Sequence, residues 1–327
     1  MRVLVTGGSG YVGSHAVREL AAFGHEVTIY DNLSTGNRVL AGDFELIEGD
    51  IADVARLAPI LDRVDAVMHF AASAYVGESV EKPRKYFANN VEAALKLLDA
   101  VLASRVRLFV FSSTCAVYGI PEHLPISESA TPNPINPYGA TKLFLEHALR
   151  AYDVSHGLKY MALRYFNAAG AHPDGLIGEI HEPETHLIPL ALKAAIGAGP
   201  RLKVFGNDFD TPDGTCIRDY VHVSDLAAAH VCALEYLNDR GESMSLNLGR
   251  GTGTSIRQII EEFQKITGIQ IPHEFAARRP GDPPSLYAYP LKAQRVIGWT
   301  AKRTLQDILQ TAWNWEQHIQ AMTRERV

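Results

Sequence analysis

Met1-Arg-Val-Leu-Val-Thr6-Gly7-Gly8-Ser9-Gly10-Tyr11-Val12-Gly13 opens the chain and decides how the rest of it is read. Val3, Leu4 and Val5 make a short apolar run bounded by turn residues, the pattern of a buried strand. Gly7, Gly8, Gly10 and Gly13 follow at once, and Tyr11–Phe23 reads as a helix. A turn without side chains lets backbone N–H groups approach a pyrophosphate at the positive end of that helix. Gly13 would let the helix pack close to the strand. The spacing fits both G-x-G-x-x-G (Gly8, Gly10, Gly13) and G-x-x-G-x-x-G (Gly7, Gly10, Gly13). A glycine string alone says little. A strand before it, a helix after it and an acidic residue closing the next strand make it specific.

That acidic residue is Asp31, after Glu26-Val-Thr-Ile-Tyr30. It lies close to the offset of about 20 residues at which a carboxylate holds an adenosine ribose. A carboxylate there accepts from the ribose hydroxyls and repels a 2′-phosphate, which favours NAD over NADP. Asp31-Asn32 also suits a plain polar turn; the glycine loop upstream tips the reading to a dinucleotide site.

Outward from this unit, strand and helix patterns alternate. Phe44–Glu48, Ala66–Phe70 and Leu108–Ser112 read as strands, with Ala55–Asp62, Arg84–Ser104 and Pro137–His156 as helices. Leu158–Tyr165 supplies a further strand, ending at Phe166-Asn167. The alternation predicts an α/β fold, a Rossmann-type doubly wound parallel sheet with helices on both faces. Ligands on such a sheet bind beyond the carboxyl ends of its strands. Those ends carry Thr6-Gly7-Gly8, Asp31-Asn32, Asp50-Ile51, Phe70-Ala71-Ala72 and Ser112-Ser113-Thr114, so all five line one crevice.

From Ala168 the pattern changes, and Ala171–Thr185 reads as a loop rich in Gly, Pro and His. A smaller α/β domain is expected over 168–327, after a cofactor domain over 1–167. The first pattern returns near 221–249, with a helix over Val223–Leu237 and a strand over Ser245–Leu248, so the two domains interleave. Arg257–Thr267 and Thr304–Ile319 read as helices of the smaller domain.

Composition narrows the class further. The 327 residues are 46% hydrophobic and 21% charged, and 31 Lys+Arg against 37 Asp+Glu leave a net charge of −6. That balance argues against a general nucleic-acid or anionic-membrane surface. No apolar run approaches the roughly 18 residues of a membrane span, and the N-terminus lacks the basic start and apolar core of a signal peptide. A cytoplasmic location is expected. Cys115, Cys216 and Cys232 are too few and too scattered for a disulfide framework or a metal cluster. The histidines show no H-E-x-x-H or comparable spacing, so no metal site is expected; His69 reads as a core histidine.

Tyr138-Gly-Ala-Thr-Lys142 is the second decisive stretch. It follows Asn136-Pro137 at a helix start, and a separation of four puts both side chains on one helical face. A free tyrosine is only about a thousandth ionised at pH 7, and use as a base needs a shift of about three units, or ~4 kcal/mol. A lysine ammonium at ~4 Å supplies ~4 kcal/mol at an effective dielectric of about 20, and an oxidised nicotinamide adds further positive charge. A lone Y-x-x-x-K is common by chance, as a core tyrosine beside an exposed lysine. Ser112-Ser113-Thr114, ending a strand upstream, supplies a hydroxyl that can bond both a substrate and Tyr138.

Together, Thr6–Gly13, Asp31-Asn32, Asp50-Ile51, Ser112–Thr114 and Tyr138–Lys142 resemble the extended short-chain dehydrogenase/reductase superfamily. Within it the chain is similar, over nearly its full length, to the UDP-glucose 4-epimerase family. The matching stretches include His69-Phe70-Ala71, Val76-Gly77-Glu78-Ser79-Val80, Leu163-Arg164-Tyr165-Phe166-Asn167, Phe205-Gly206-Asn207-Asp208, Asp213-Gly214-Thr215, Arg218-Asp219-Tyr220-Val221-His222-Val223 and Arg278-Arg279-Pro280-Gly281-Asp282. The resemblance implies interconversion of UDP-glucose and UDP-galactose with tightly bound NAD: Tyr138 takes the proton of the sugar 4-hydroxyl while C4 gives its hydride to NAD⁺, and the keto sugar turns over before the hydride returns. Lys142 would hold the nicotinamide ribose and lower the Tyr138 pKa, with Thr114 as hydroxyl partner. Implied cofactor contacts are Gly7, Gly10, Tyr11, Val12, Asp31, Asn32, Asp50, Ile51, Phe70, Ala71, Ala72, Asn89, Ser112, Tyr138, Lys142 and Phe166. Implied substrate contacts are Thr114, Asn167, His186, Leu187, Phe205, Arg218, Tyr220, Arg279, Asp282 and Leu286. Arg218 and Arg279 suit a diphosphate clamp, Asp282 the uridine ribose, Asn167 the sugar or phosphate, and Phe205 with Leu187 the uracil. A homodimer through Arg84–Ser104 and Pro137–His156 is implied as well.

The chain departs from the family pattern at three places. Ala74 stands where some members carry a lysine near the cofactor phosphates, and His186 where an Asn is often seen. Leu286 stands where a bulky or a small residue excludes or admits a 2-N-acetyl group; its bulk favours glucose and galactose, with N-acetylated and pentose substrates left open. A 4,6-dehydratase needs an Asp-Glu pair after the active-site Thr, and here Cys115-Ala116 follow Thr114. Decarboxylation would need a uronic-acid pocket, for which the sequence has no distinct signature. A catalytically silent NAD sensor would have no need for Tyr138, Lys142 and Thr114 together.

Overall fold

A computed structural model describes residues 1–279 and 281–324; Pro280 of the Arg278–Asp282 stretch and the last three residues lie outside it. Seven strands, β1 (Arg2–Thr6), β2 (Glu26–Asp31), β3 (Glu45–Glu48), β4 (Ala66–His69), β5 (Leu108–Thr114), β6 (Lys159–Tyr165) and β7 (Met244–Leu248), form one sheet. Their order is β3-β2-β1-β4-β5-β6-β7, and every neighbouring pair is parallel. The winding reverses between β1 and β4, which opens a crevice at the strands' carboxyl ends.

The apolar runs form strands because helices cover both faces of the sheet. Val3 and Val5 belong to one core, with Ile29, Met68 and Val110, whereas Leu4 belongs to the other, with Val67, Phe109 and Phe111. This is the period of two that a strand imposes. Helices α1 (Tyr11–Ala22) and α3 (Val223–Arg240) cover the first face through Val17, Leu20, Leu226 and Leu234. Helix α2 (Pro137–His156) covers the second through Leu145 and Leu149. The doubly wound parallel sheet is thus the observed architecture.

One expected helix is interrupted. The pattern over Arg84–Ser104 reads as a helix, and the structure divides it into Pro83–Phe87, a π-helical turn over Ala88–Ala93, and Ala94–Ala103. A π turn admits an extra residue and is frequent at functional sites. Here it carries Asn89 and Asn90. Asn90 holds the backbone of Ser73 at both N (2.8 Å) and O (2.9 Å) and reaches Thr141 Oγ1 at 3.2 Å.

After Tyr165 a separate core gathers Ala169, Leu192, Val204, Ile259, Phe263, Ile308 and Trp313. It is built on short paired segments: Asn167–Ala169 with Tyr220–His222, Leu202–Phe205 with His273–Ala276, and Ile217–Arg218 between Thr254–Ser255 and Ser285–Leu286. Residues 171–186 form neither helix nor strand, and a helix, Leu187–Ala195, follows them. Among the described residues no helix is long and apolar enough to cross a membrane.

Candidate active site

The glycine loop is closed on every side. Gly7 has φ +75°, and a Cβ there would lie 2.4 Å from the backbone N of Ala71; a Cβ on Gly13 would lie 2.2 Å from Gly7 O. Gly10 caps α1 with extended backbone and no side chain, and the first helical hydrogen bond runs from Ser14 N to Gly10 O. The donors before it, on Tyr11, Val12 and Gly13, are the orphan N–H groups of a helix start, which suit an anion. Asp31 Oδ2 accepts from Ser9 N at 3.0 Å and Oδ1 from Leu33 N at 2.9 Å. Each oxygen keeps a second lone pair for a ribose hydroxyl. Burial pushes the Asp31 carboxyl up from its ordinary value, against those two hydrogen bonds. Asn32 donates to Asp50 Oδ2 at 3.0 Å, and Ile51 is buried behind them. These residues fit a dinucleotide.

Farther along, Phe70 packs on His230 with ring centroids 4.7 Å apart, Ala71 and Ala72 line the chain leaving β4, and Asn89 donates to Ser73 Oγ at 3.3 Å. Phe166 is buried with Val117 and Tyr118. His69 is a core histidine, bonded to Thr6 Oγ1 at 2.7 Å and pulled down to about 3 by burial.

Helix α2 starts at Pro137, with the Asn136 side chain accepting from Gly139 N at 2.8 Å. This cap sets Tyr138 and Lys142 against the end of β5. The Thr114 side chain lies near the Tyr138 hydroxyl, and Lys142 Nζ donates to the Ser112 carbonyl at 2.7 Å. Ser112 Oγ is 2.5 Å from the Tyr165 hydroxyl. One turn beyond Lys142, Glu146 receives Ser113 Oγ at 2.5 Å and is forked by Arg164, with Nε at 2.9 and 3.1 Å. Arg164 also donates to the Tyr118 hydroxyl, which donates to Asn247.

Lys142 lies 5.9 Å from the Tyr138 ring centroid, and burial dominates both groups. Burial pushes the Tyr138 phenol well above its ordinary value, with the Thr114 bond opposing it. Burial also pulls Lys142 down to about 7, with Glu146 resisting. In the chain by itself, burial thus opposes ionisation of the phenol more strongly than Thr114 favours it, and the same burial disfavours the lysine's charge.

In the second half of the chain, Arg218 donates to the Ile217 and Pro283 carbonyls at 2.8 and 3.0 Å and pairs with Asp282 at 3.3 Å. Arg279 stacks on Phe205, 4.0 Å from the ring centroid. Leu286 pairs in register with Arg218, and Asn167 N donates to Asp219 O at 2.9 Å. Leu187 opens the helix that follows exposed His186. Tyr220 stands apart: it is 6% exposed and packed in the core of the smaller lobe. Its neighbour Asp219 accepts from the backbone N of Arg250, Gly251 and Ala288, which ties the 250–251 and 288 backbones to its own segment.

One cluster escaped the sequence reading. Glu179, His181, Glu184 and His186 bring a carboxylate oxygen or ring nitrogen each to within 4.8 Å of one another. Glu179 and Glu184, at 2.8 and 3.0 Å, raise the half-exposed His186 ring to about 10. The spacing E-x-H-x-x-E-x-H lies in an irregular loop, where no helical periodicity brings it to notice.

The family model for the NAD dependent epimerase/dehydratase family matches residues 3–249. A UDP-glucose 4-epimerase of Rhizobium meliloti (strain 1021) is 50% identical over 315 residues, 96% of each chain. The crystal structure of UDP-glucose 4-epimerase from Brucella ovis in complex with NAD is 52% identical with a TM-score of 0.93, over 95% of this chain and 97% of that one. A Stenotrophomonas maltophila UDP-glucose-4-epimerase with bound NAD and formylated UDP-arabinopyranose is 40% identical with a TM-score of 0.96, over 98% and 99% of the two chains.

Proposed function

The chain belongs to the NAD dependent epimerase/dehydratase family, and from that membership we propose that it interconverts UDP-glucose and UDP-galactose by epimerisation at C4. The observation that carries this reading is the meeting of Tyr138, Thr114 and Lys142 at the end of β5, in the crevice that the glycine loop also lines. NAD is the cofactor, and when bound it accepts and returns the hydride of the sugar C4.

Gly7, Gly10, Tyr11 and Val12 hold the pyrophosphate, with Asp31 and Asn32 at the adenosine ribose. Tyr138 would ionise beside the positive charge of the oxidised nicotinamide, and as tyrosinate it would receive the proton of the 4-hydroxyl and later give it back. Thr114 shares a hydrogen bond with Tyr138 and the sugar oxygen, which keeps the proton's path short. Lys142, anchored on the Ser112 carbonyl, holds the nicotinamide ribose. Arg218 and Arg279 meet the diphosphate with charge-assisted bonds, Asp282 meets the uridine ribose, and Phe205 with Leu187 flank the base. To bind a diphosphate, Arg218 exchanges its Asp282 partner for phosphate oxygens. In this reading residues 1–167, with 221–249, hold the cofactor, and the remainder from 168 holds the UDP-sugar.

Leu286, bulky beside the sugar, supports glucose and galactose over 2-acetamido sugars. A second reading, 4-epimerisation of a UDP-pentose, keeps every residue role and takes support from the pentose nucleotide in the Stenotrophomonas protein. The proposal includes a cytoplasmic homodimer joined through the Pro83–Ala103 helical segment and α2, where Phe87, Phe144 and Val154 are 40, 48 and 86% exposed. The net charge of −6 favours no nucleic-acid partner.

Purified protein incubated with UDP-galactose, without added NAD, is expected to form UDP-glucose. No conversion, there or with excess NAD, would reject the epimerase. Conversion of a pentose or N-acetyl substrate alone would replace the sugar and keep the chemistry.

A further inference from the structure

Glu179, His181, Glu184 and His186 stand within the irregular 171–186 segment and at its end, outside the Tyr138 constellation. The Glu179 and Glu184 side chains are only 8 and 5% exposed. Among the described residues neither has a lysine or arginine partner; their only ion-pair contacts are the two imidazoles. The two imidazoles supply the positive charge that these shielded carboxylates require, and a divalent cation bound in their midst would take over that role as the rings lose their protons.

The geometry fits one. The imidazole-to-carboxylate separations are 2.8, 3.0, 3.0 and 3.7 Å. Four donors about 2 Å from a tetrahedral zinc lie about 3.3 Å from one another; one ligand atom from each of the four residues lies within 4.8 Å of the others, so the shell would draw in on binding. Glu184 Oε1 is held in place by the backbone N of Thr185 (2.7 Å) and of His186 (2.8 Å). His181 Nδ1 is shielded from solvent and makes no hydrogen bond, although it sits 3.0 Å from Glu179. An orphaned ring nitrogen of this kind calls for a ligand.

We propose that these four residues form a binding site for a divalent cation of the zinc class. Two imidazoles and two carboxylates complete a tetrahedral shell, leaving no position for water or substrate, so the ion is structural rather than a Lewis acid. What it ties down is the segment between the Asn167–Ala169 strand and the Leu187–Ala195 helix. That segment rests on Tyr11, whose ring lies 6.2 Å from His181 and whose hydroxyl bonds Gly170 O at 2.5 Å, and on Tyr75, 5.8 Å from His181. The ion would therefore clasp the mouth of the crevice to the glycine loop.

Chelator-treated protein, dialysed and titrated with Zn²⁺ against a chromogenic chelator, is expected to bind one equivalent per chain and to unfold at a higher temperature when loaded. Co²⁺ in its place should show the intense visible bands of a four-coordinate ion without a thiolate charge-transfer band, which separates this site from the three cysteines. X-ray absorption of the zinc protein should show only nitrogen and oxygen ligands at about 2 Å. His181→Asn and Glu184→Gln should each weaken binding more than about tenfold, whereas His172→Asn, outside the cluster, should not. Absence of saturable binding to the wild type, a sulfur or six-coordinate shell, or binding that survives both substitutions would overturn the proposal, and the spectra decide even if a variant fails to fold.

Discussion

Gly139 faces Ala116 so closely that a Cβ on the glycine would lie 2.5 Å from the Ala116 carbonyl oxygen. The helix carrying Tyr138 and the turn leaving β5 are thus in backbone contact, and that contact brings the phenol to Thr114. Gly139→Ala should push α2 outward. The expected result is a fall in kcat of about tenfold or more with the bound NAD retained, read by steady-state kinetics and cofactor absorbance. Unchanged kcat would mean that this contact does not set the Tyr138 position.

Tyr138→Phe removes the hydroxyl and little else. Turnover should be lost while NAD stays bound, checked by assay and by the nucleotide content of denatured protein. Near-normal activity would reject Tyr138 as the base.

Lys142 is 3% exposed and has its pKa pulled from 10.5 to about 7 by burial. Between these values the unfolded chain holds one proton more than the folded one, so stability rises with pH across that window. Below about pH 7 the lysine is charged in both states and the penalty is fully present. Lys142→Met should therefore abolish activity yet stabilise the fold by a few kcal/mol at pH 6.5, with the gain shrinking by pH 9. Urea unfolding at the two pH values checks the sign.

Glu146 and Arg164, 4 and 6% exposed, neutralise each other under the active site. Glu146→Ala leaves a buried guanidinium uncompensated and should cost about 3–5 kcal/mol. A double variant, Glu146→Leu with Arg164→Met, should recover much of this stability but not the activity, because Ser113 and Lys142 lose the carboxylate they lean on. Denaturant midpoints and turnover separate the two effects.

Gly7→Ala combines a positive φ with a Cβ 2.4 Å from Ala71 N. The expected outcome is protein isolated with little NAD and with activity that rises on adding it, measured against the wild type without supplement.

Much of the site could be read from the chain because its signals are local. The glycines sit within one turn, Asp31 closes the next strand, and Tyr138 and Lys142 share a helical face. What could not be read depends on long-range contact. The two-residue strands Ile217–Arg218 and Thr254–Ser255 are too short to show a period. The three N–H bonds to Asp219 come from Arg250, Gly251 and Ala288, which only the fold brings together. The π turn at Ala88–Ala93 leaves no mark on an apolar pattern whose neighbours on both sides are helical. The burial of Tyr138 and Lys142 has the same origin: charge separation can be guessed from spacing, but the cost of burial requires the packed site.

Three consecutive residues of β5 engage three successive turns of α2: Ser112 through its carbonyl with Lys142, Ser113 with Glu146, and Thr114 with Tyr138. Strand and helix are meshed like a rack and a pinion, tooth against tooth. A one-residue insertion or deletion between Tyr138 and Glu146 would rotate everything beyond it by about 100° and disengage the teeth after the break. In β5 it would turn the hydroxyls to the wrong face. Side chains along this seam can be exchanged one at a time, but the lengths of the two elements between their first and last contacts cannot. Lineages of this chain should therefore vary in loop length everywhere else before they vary here.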